Sequence, residues 1–221
     1  MATSAPWFAR IARIWRMFKC RPTLLPPHSR CADAHTRVCS MVMALTATLY
    51  NLAIQLADID RGVYEKLDLR MARQPSETVE YMLTRVLAYC LEYQDGIALT
   101  EGVAAGDEPA VLVRDLTGRI IAWIEVGAPP ADRLHRGSKL AGRAAVYTNR
   151  NLGQLMNQLS AKKIHRAAEI PIYTFGRGFI EAVARPIQRR SEMSISITER
   201  QLYLDVNGQA FTTTIEECRI G

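Results

Sequence analysis

No apolar run in this chain approaches the ~20 residues that a bilayer-spanning helix needs, which removes helical membrane proteins from consideration. Cysteine is sparse and uneven. Cys20, Cys31 and Cys39 crowd one end, leaving only Cys90 and Cys218, so no disulfide framework is written into the chain and a reducing cytoplasm fits. No Walker loop, GxSxG elbow or dinucleotide glycine pattern occurs, and none of the four histidines stands in an HExxH context. Internal repeats are absent, and no low-complexity tract extends beyond the first 42 residues.

The net charge of +6 over 221 residues resembles a nucleic-acid signal until its location is traced. Arg10, Arg13, Arg16, Lys19, Arg21, Arg30 and Arg37 stand against Asp33 alone in residues 1–42, and basic and acidic groups balance in the rest. The body therefore lacks the broad basic field common in nonspecific nucleases, and only local clusters can speak for a nucleic-acid partner. In the first segment Trp7, Phe8, Ile11, Ile14, Trp15 and Phe18 would line one side of a basic amphipathic helix, able to lie on an anionic membrane or serve as an address. The alternative, preferred here, is that translation starts at Met41 or Met43 and that residues 1–42 are a disordered or over-extended leader. His28, Cys31, His35 and Cys39 lack the paired spacing of structural zinc sites.

At 48% apolar content the remainder, residues 43–221, is expected to bury one core as a single domain. Alternation predicts a strand over 44–57 and a second over 64–71, joined by the Asp58–Gly62 turn. Val79, Met82, Leu83, Val86, Leu87, Cys90 and Leu91 repeat at three and four, predicting a helix with Ser76 or Thr78 as its N-cap and Cys90 as a small buried hydrophobe. A short strand at 97–100 precedes a hairpin made of 110–113 and 120–124, in which Gly118 supplies the positive φ of the turn. A helix over 132–145, a strand at 146–148, a helix near 152–159, a strand over 170–175 and a helical turn over 179–183 follow. Three strands, 193–198, 201–206 and 210–216, close the chain around the Asn207-Gly208 turn. The strands from both ends are expected to pair antiparallel and flank the central unit.

The hairpin sets Glu125 opposite residues 108–110, so two carboxylates, Asp107 and Glu125, approach within a few ångströms, since facing residues have Cβ atoms ~5 Å apart. Ile120 to Val126 is apolar on both faces, as in a buried strand, where an unpaired glutamate is disfavoured. Such a pair invites a hard divalent cation, Mg²⁺ or Mn²⁺, held also by the Val126 carbonyl. Lys139 would stabilise charge on a phosphate. Glu77 would add a carboxylate that supports the ligands from behind or holds a second metal, and Ser76 either supports it or caps the helix. His135, Arg136 and Arg143 would form a cationic stripe with Lys139 toward a phosphate backbone. The 162–166 and 189–190 basic clusters read mainly as solubilising surface.

The order helix, strand, strand, strand, helix, strand over 76–148, with these acids and a lysine, resembles the core of the PD-(D/E)XK nuclease superfamily. From Met43 onward, including Ala72-Arg73-Gln74-Pro75-Ser76-Glu77-Thr78, Asp107-Glu108-Pro109 and Trp123-Ile124-Glu125-Val126-Gly127, the chain resembles more closely the YaeQ family of small bacterial proteins. The superfamily's lysine normally follows its acid by two residues on the same strand. Here that position is Gly127, and Lys139 would act in its place. The resemblance implies an α/β restriction-endonuclease-like core with flanking strands, and metal-dependent hydrolysis of DNA or RNA. The competing readings are a catalytically silent nuclease-like fold that binds nucleic acid or a partner protein, and a purely structural interaction module.

Overall fold

Seven consecutive residues of one helix, Met82 to Ala88, are buried, and at 3.6 residues per turn they cover its whole circumference. The fold is built around this helix. The computed structural model describes residues 47–100 and 108–220. The leader and Asp107 lie outside them.

In chain order the described elements are β1 (Thr48–Asp58), β2 (Val63–Arg73), α1 (Val79–Leu91), β3 (Ile97–Leu99), β4 (Val111–Arg114), β5 (Ile120–Val126), α2 (Ala131–Leu140) and β6 (Arg143–Thr148). Then come α3 (Leu152–Ser160), β7 (Pro171–Phe175), α4 (Phe179–Ala184), β8 (Arg190–Thr198), β9 (Gln201–Val206) and β10 (Gln209–Arg219). The strands form one sheet in the order β2-β1-β8-β9-β10-β7-β6-β5-β4-β3. Strand β10 joins its halves: residues 209–214 pair with β9 and residues 215–219 with β7.

The expected helix, strand, strand, strand, helix, strand succession is present as α1 through β6. Two expectations need correction. The terminal strands do not flank the unit by antiparallel pairing alone, because β1 runs parallel to β8 (Leu52↔Ser191 through Asp58↔Ile197). Alternation reports which face a strand buries but carries no direction. The helix expected over 132–145 ends at Leu140, and residues 143–145 belong to β6. Ala141 caps it in an extended conformation, and Arg143-Ala144-Ala145 pair with β5 as Ala122-Trp123-Ile124 do with them.

The sheet has two apolar faces. Alternate residues of β6 divide between them: Ala145 and Tyr147 face the core around α1 and α4, with Leu52, Ile54, Ile195 and Leu204, whereas Ala144 and Val146 face Leu134 of α2 and Leu155 and Leu159 of α3. Cys90 sits in the first core, where burial pushes its thiol up to about 12. Thr78 is the N-cap of α1, its hydroxyl accepting from the Tyr81 amide at 3.2 Å, and exposed Ser76 lies in the preceding turn.

A charge in the buried stretch of this helix must be matched. Arg85 Nη1 donates to Glu77 Oε1 at 2.8 Å and its Nη2 to the Thr100 carbonyl at 2.6 Å, and both side chains are almost wholly buried. Removing one partner of a buried pair strands the other charge, so Arg85→Ala is expected to cost about 3–5 kcal/mol in urea unfolding. The double variant Arg85→Met/Glu77→Leu should lose far less, and equal losses in the two would show that the pair is not desolvated.

Candidate active site at the end of strand β5

Residues two apart on a strand share a face, and Trp123 and Glu125 do so on β5. The Trp123 indole Nε1 donates to Glu125 Oε1 at 2.8 Å. Arg133, in the first turns of α2, closes on the same carboxylate: Nε lies 3.0 Å from Oε1 and Nη2 lies 3.2 Å from Oε2. The same Nη2 donates to the Glu108 carbonyl at 2.6 Å. Glu125 is 2% exposed, so its charge is held by this guanidinium and the indole rather than by solvent.

The approach of α2 depends on a residue without a side chain. Gly137, one turn after Arg133, lies against the Trp123 ring, where a Cβ would stand 2.4 Å from Cδ1. Alanine is the better helix former by ~1 kcal/mol, yet here it must push the indole or the helix away. Gly137→Ala is therefore expected to destabilise the protein by about 1–3 kcal/mol and to shift the Trp123 fluorescence. Unchanged stability and emission would mean that α2 does not seat on the indole.

Gly127 explains the missing lysine of the strand. Its φ is +83°, a conformation that side chains other than glycine rarely adopt, and the Tyr81 ring lies 3.3 Å from where its Cβ would be. Tyr81, from the first turn of α1, stands among Arg85, Glu125, Glu77 and Arg133. Burial raises its phenol above the usual range, Arg85 opposes this, and the two carboxylates add to it.

The sequence-expected residues separate into three groups. Glu125 and Val126 stand together at the buried end of β5. Glu77 reaches the neighbourhood through α1, but its Oε1 holds Arg85 and its Oε2 accepts from the Gln74 amide at 3.2 Å. Lys139 does not join them. It is exposed in the last turn of α2, and six residues after Arg133 place it about 120° around the helix from the face that meets β5. Arg136 is also exposed on α2. His135 Nδ1 accepts from the His165 amide at 3.2 Å and so ties α2 to the following loop. Arg143 is not on the helix at all: it opens β6 and holds Glu92 through two bonds of 2.5 and 2.7 Å, with the Tyr147 hydroxyl donating to Glu92 at 2.8 Å. The expected stripe of 135, 136, 139 and 143 therefore does not form one helix face.

Arg133, Trp123 and Tyr81 were missed by sequence reasoning. Trp123 was accessible from strand periodicity, and Arg133 from its one-turn spacing to the glycine that lets α2 approach. Among the described residues no three His, Cys, Asp or Glu side chains converge as a metal cluster.

With this geometry in view, comparison with known proteins is decisive about kinship. The YaeQ protein family model matches residues 43–215. The chain belongs to the YaeQ family. A YaeQ protein of Escherichia coli (strain K12) is 29% identical over 163 residues, covering 73% of this chain and 90% of that protein, and one of Salmonella typhi matches to the same extent. The crystal structure of a YaeQ protein from Pseudomonas syringae superposes with a TM-score of 0.72 at 29% identity, covering 77% of this chain and 95% of that one. That of a YaeQ protein from Xanthomonas axonopodis pv. citri gives 0.71 at 27%, covering 78% and 98%. The mixed α/β architecture with its large sheet is thus the YaeQ fold. Among the described residues no helix is long and apolar enough to cross a membrane, and Cys90 and Cys218 are free.

Burial raises the Glu125 carboxyl above its usual range, against the lowering by its hydrogen bonds to Arg133 and Trp123. A carboxyl raised in the folded state holds its proton more tightly folded than unfolded. It favours the fold below the ordinary carboxylate value, and that contribution is lost as pH rises through the raised value. Relative to Glu125→Gln, the wild-type unfolding free energy should fall as pH climbs from about 4.5 toward neutrality. A difference that is flat, or rises, over this range would show that Arg133 outweighs burial.

Proposed function

We propose that this chain is a nuclease-like, metal-dependent hydrolase of phosphodiester bonds in DNA or RNA, with a PD-(D/E)XK-type core formed by α1 through β6. The observation that carries the reading is the buried carboxylate of Glu125 at the end of a central strand, beside the Arg133 guanidinium that also holds the Glu108 carbonyl. Desolvated carboxylates are retained where they do work that a hydrophobe cannot, and this one sits at the buried end of β5 against Arg133.

The donor chemistry fits Mg²⁺ or Mn²⁺ in kind: Glu125, Asp107 and the Val126 carbonyl offer hard oxygens. A metal held there would polarise a phosphoryl oxygen and lower the pKa of bound water. The chain's own groups do the rest. Arg133 replaces Lys139 in this reading, because it already lies on the site and carries a fixed fork of donors suited to a phosphate. Tyr81 and Trp123 wall the site against water. Glu77 serves by fixing Arg85 rather than as a ligand, since leaving Arg85 would strand a buried cation.

A second reading, a silent nuclease-like fold that binds nucleic acid or a partner protein, is favoured by one observation: Glu125 already has its counter-charge in Arg133. The two separate by calorimetric titration of Mn²⁺. On the proposed function wild type binds, Glu125→Ala does not, and Arg133→Ala binds more tightly because Glu125 is released from its competitor. Absence of binding by both wild type and Arg133→Ala would overturn the hydrolase reading in favour of the silent fold.

A further inference from the structure

Strands β5, β6 and β7 are mutually parallel, so their carboxyl ends share one edge of the sheet. From that edge the chain leaves β6 toward α3, whose Leu155 and Leu159 pack in one core, and leaves β7 toward α4, whose Phe179, Ile180 and Val183 pack in the other. Loops that diverge to opposite faces open a crevice between them, and such switch points at carboxyl edges are where open α/β sheets take ligands.

A polar crevice of about 620 Å³ lies there. That is within the size range of small-molecule sites, ~300–1,000 Å³. Arg150 enters it from the β6–α3 loop and Arg177 from the β7–α4 loop, and neither forms an ion pair among the described residues. Both are exposed. Thr148 and Thr174, cross-strand partners, form part of its lining. Thr148 Oγ1 accepts from the Arg150 amide at 3.0 Å. Thr174 is 8% exposed, yet its hydroxyl has no hydrogen-bond partner among the described residues. That hydroxyl is not sealed from solvent, so it can donate to a ligand in the crevice without breaking an existing bond. Glu181 and Glu216 stand in the lining without pairing to either arginine.

We propose that this crevice binds a phosphomonoester of nucleotide size, with Arg150 and Arg177 closing on the phosphate and Thr174 donating to it. Two guanidinia arriving from different loops suit a tetrahedral dianion with three equivalent acceptor oxygens better than a planar, singly charged carboxylate. The two carboxylates, which would repel a bare anion, accept from the hydroxyl or amino donors of the group that the phosphate carries. The site uses none of the residues of the proposed hydrolase site, so it stands or falls separately from that reading.

The test is calorimetry on the full chain with adenosine 5′-monophosphate, adenosine and a 5′-phosphorylated tetranucleotide. A phosphate-bearing probe is expected to bind at least about tenfold more tightly than adenosine, each lost arginine contact being worth about a tenfold change. Arg150→Ala/Arg177→Ala should weaken it by about a hundredfold, and Thr174→Val should weaken it less. Preference for the tetranucleotide would identify a strand end as the source, and preference for the mononucleotide a free metabolite. Equal binding of adenosine 5′-monophosphate and adenosine, no binding of either phosphorylated probe, or unchanged affinity in the double arginine variant would overturn the proposal. The wild-type comparison needs no variant to fold.

Discussion

Everything else in this structure is arranged to suit a central helix with no wet side. Because the middle of α1 is enclosed by the sheet and α4, the charge buried there and the one at its end are answered by residues from other elements. Arg85 is answered by Glu77, from the turn that leads into the helix, and Glu92 at its end by Arg143 and Tyr147 of β6. The terminal carbonyls are met from the far hairpin: Arg61 donates to the carbonyls of Cys90 and Tyr93 at 3.1 Å while its Nε pairs with Asp58 at 2.6 Å. A cation at that end also complements the helix dipole. Buried pairs of this kind contribute little net stability against hydrophobes of equal volume, but they admit one register of helix against sheet.

That register carries through to the candidate site. Arg85 holds the Thr100 carbonyl, the last described residue before the segment that contains Asp107, and Arg133 holds the Glu108 carbonyl, the first residue after it. The two guanidinia are themselves fixed by Glu77 and Glu125. Two glutamate–arginine pairs thus set both ends of one segment, one pair contributed by α1 and its approach and the other by β5 and α2. In the proposed function a cation entering at Glu125 would compete with Arg133, the group that also holds the Glu108 carbonyl.

Much of the fold was legible because its signals are local. The Asn207-Gly208 turn has φ of 51° and 83°, as its dipeptide demands, and Gly118 takes the positive φ its hairpin needs. The period-three-and-four run of α1 marks a helix, and its uniform burial follows once one sees that Thr84, Arg85 and Ala88 interrupt no wet stripe. What escaped was relational. The parallel pairing of β1 with β8 is invisible to alternation, and Ala144-Ala145 continue a helical pattern while serving as alternate faces of β6. The site's cation was sought by residue type, which pointed to Lys139, although the helix face decides which side chain reaches β5. Gly137 marks that face, because only a glycine lets the helix backbone touch an indole.

The carboxyl edge of β5, β6 and β7 gathers both candidate sites for one physical reason. Within the sheet a polar side chain would be sealed between apolar layers on either face, whereas at the strand ends the backbone ladder stops and the covering helices diverge. Glu125 can be nearly buried there and still lie three residues before exposed Ala128. Thr174 can keep its hydroxyl open to the crevice in a residue otherwise packed, and Arg150 and Arg177 can leave their loops without crossing either core. A parallel arrangement puts three such ends side by side, and an antiparallel one would have alternated them with amino ends. The crossovers through α2 and α3, which make the pairing parallel, are therefore what gathers both candidate sites on one edge.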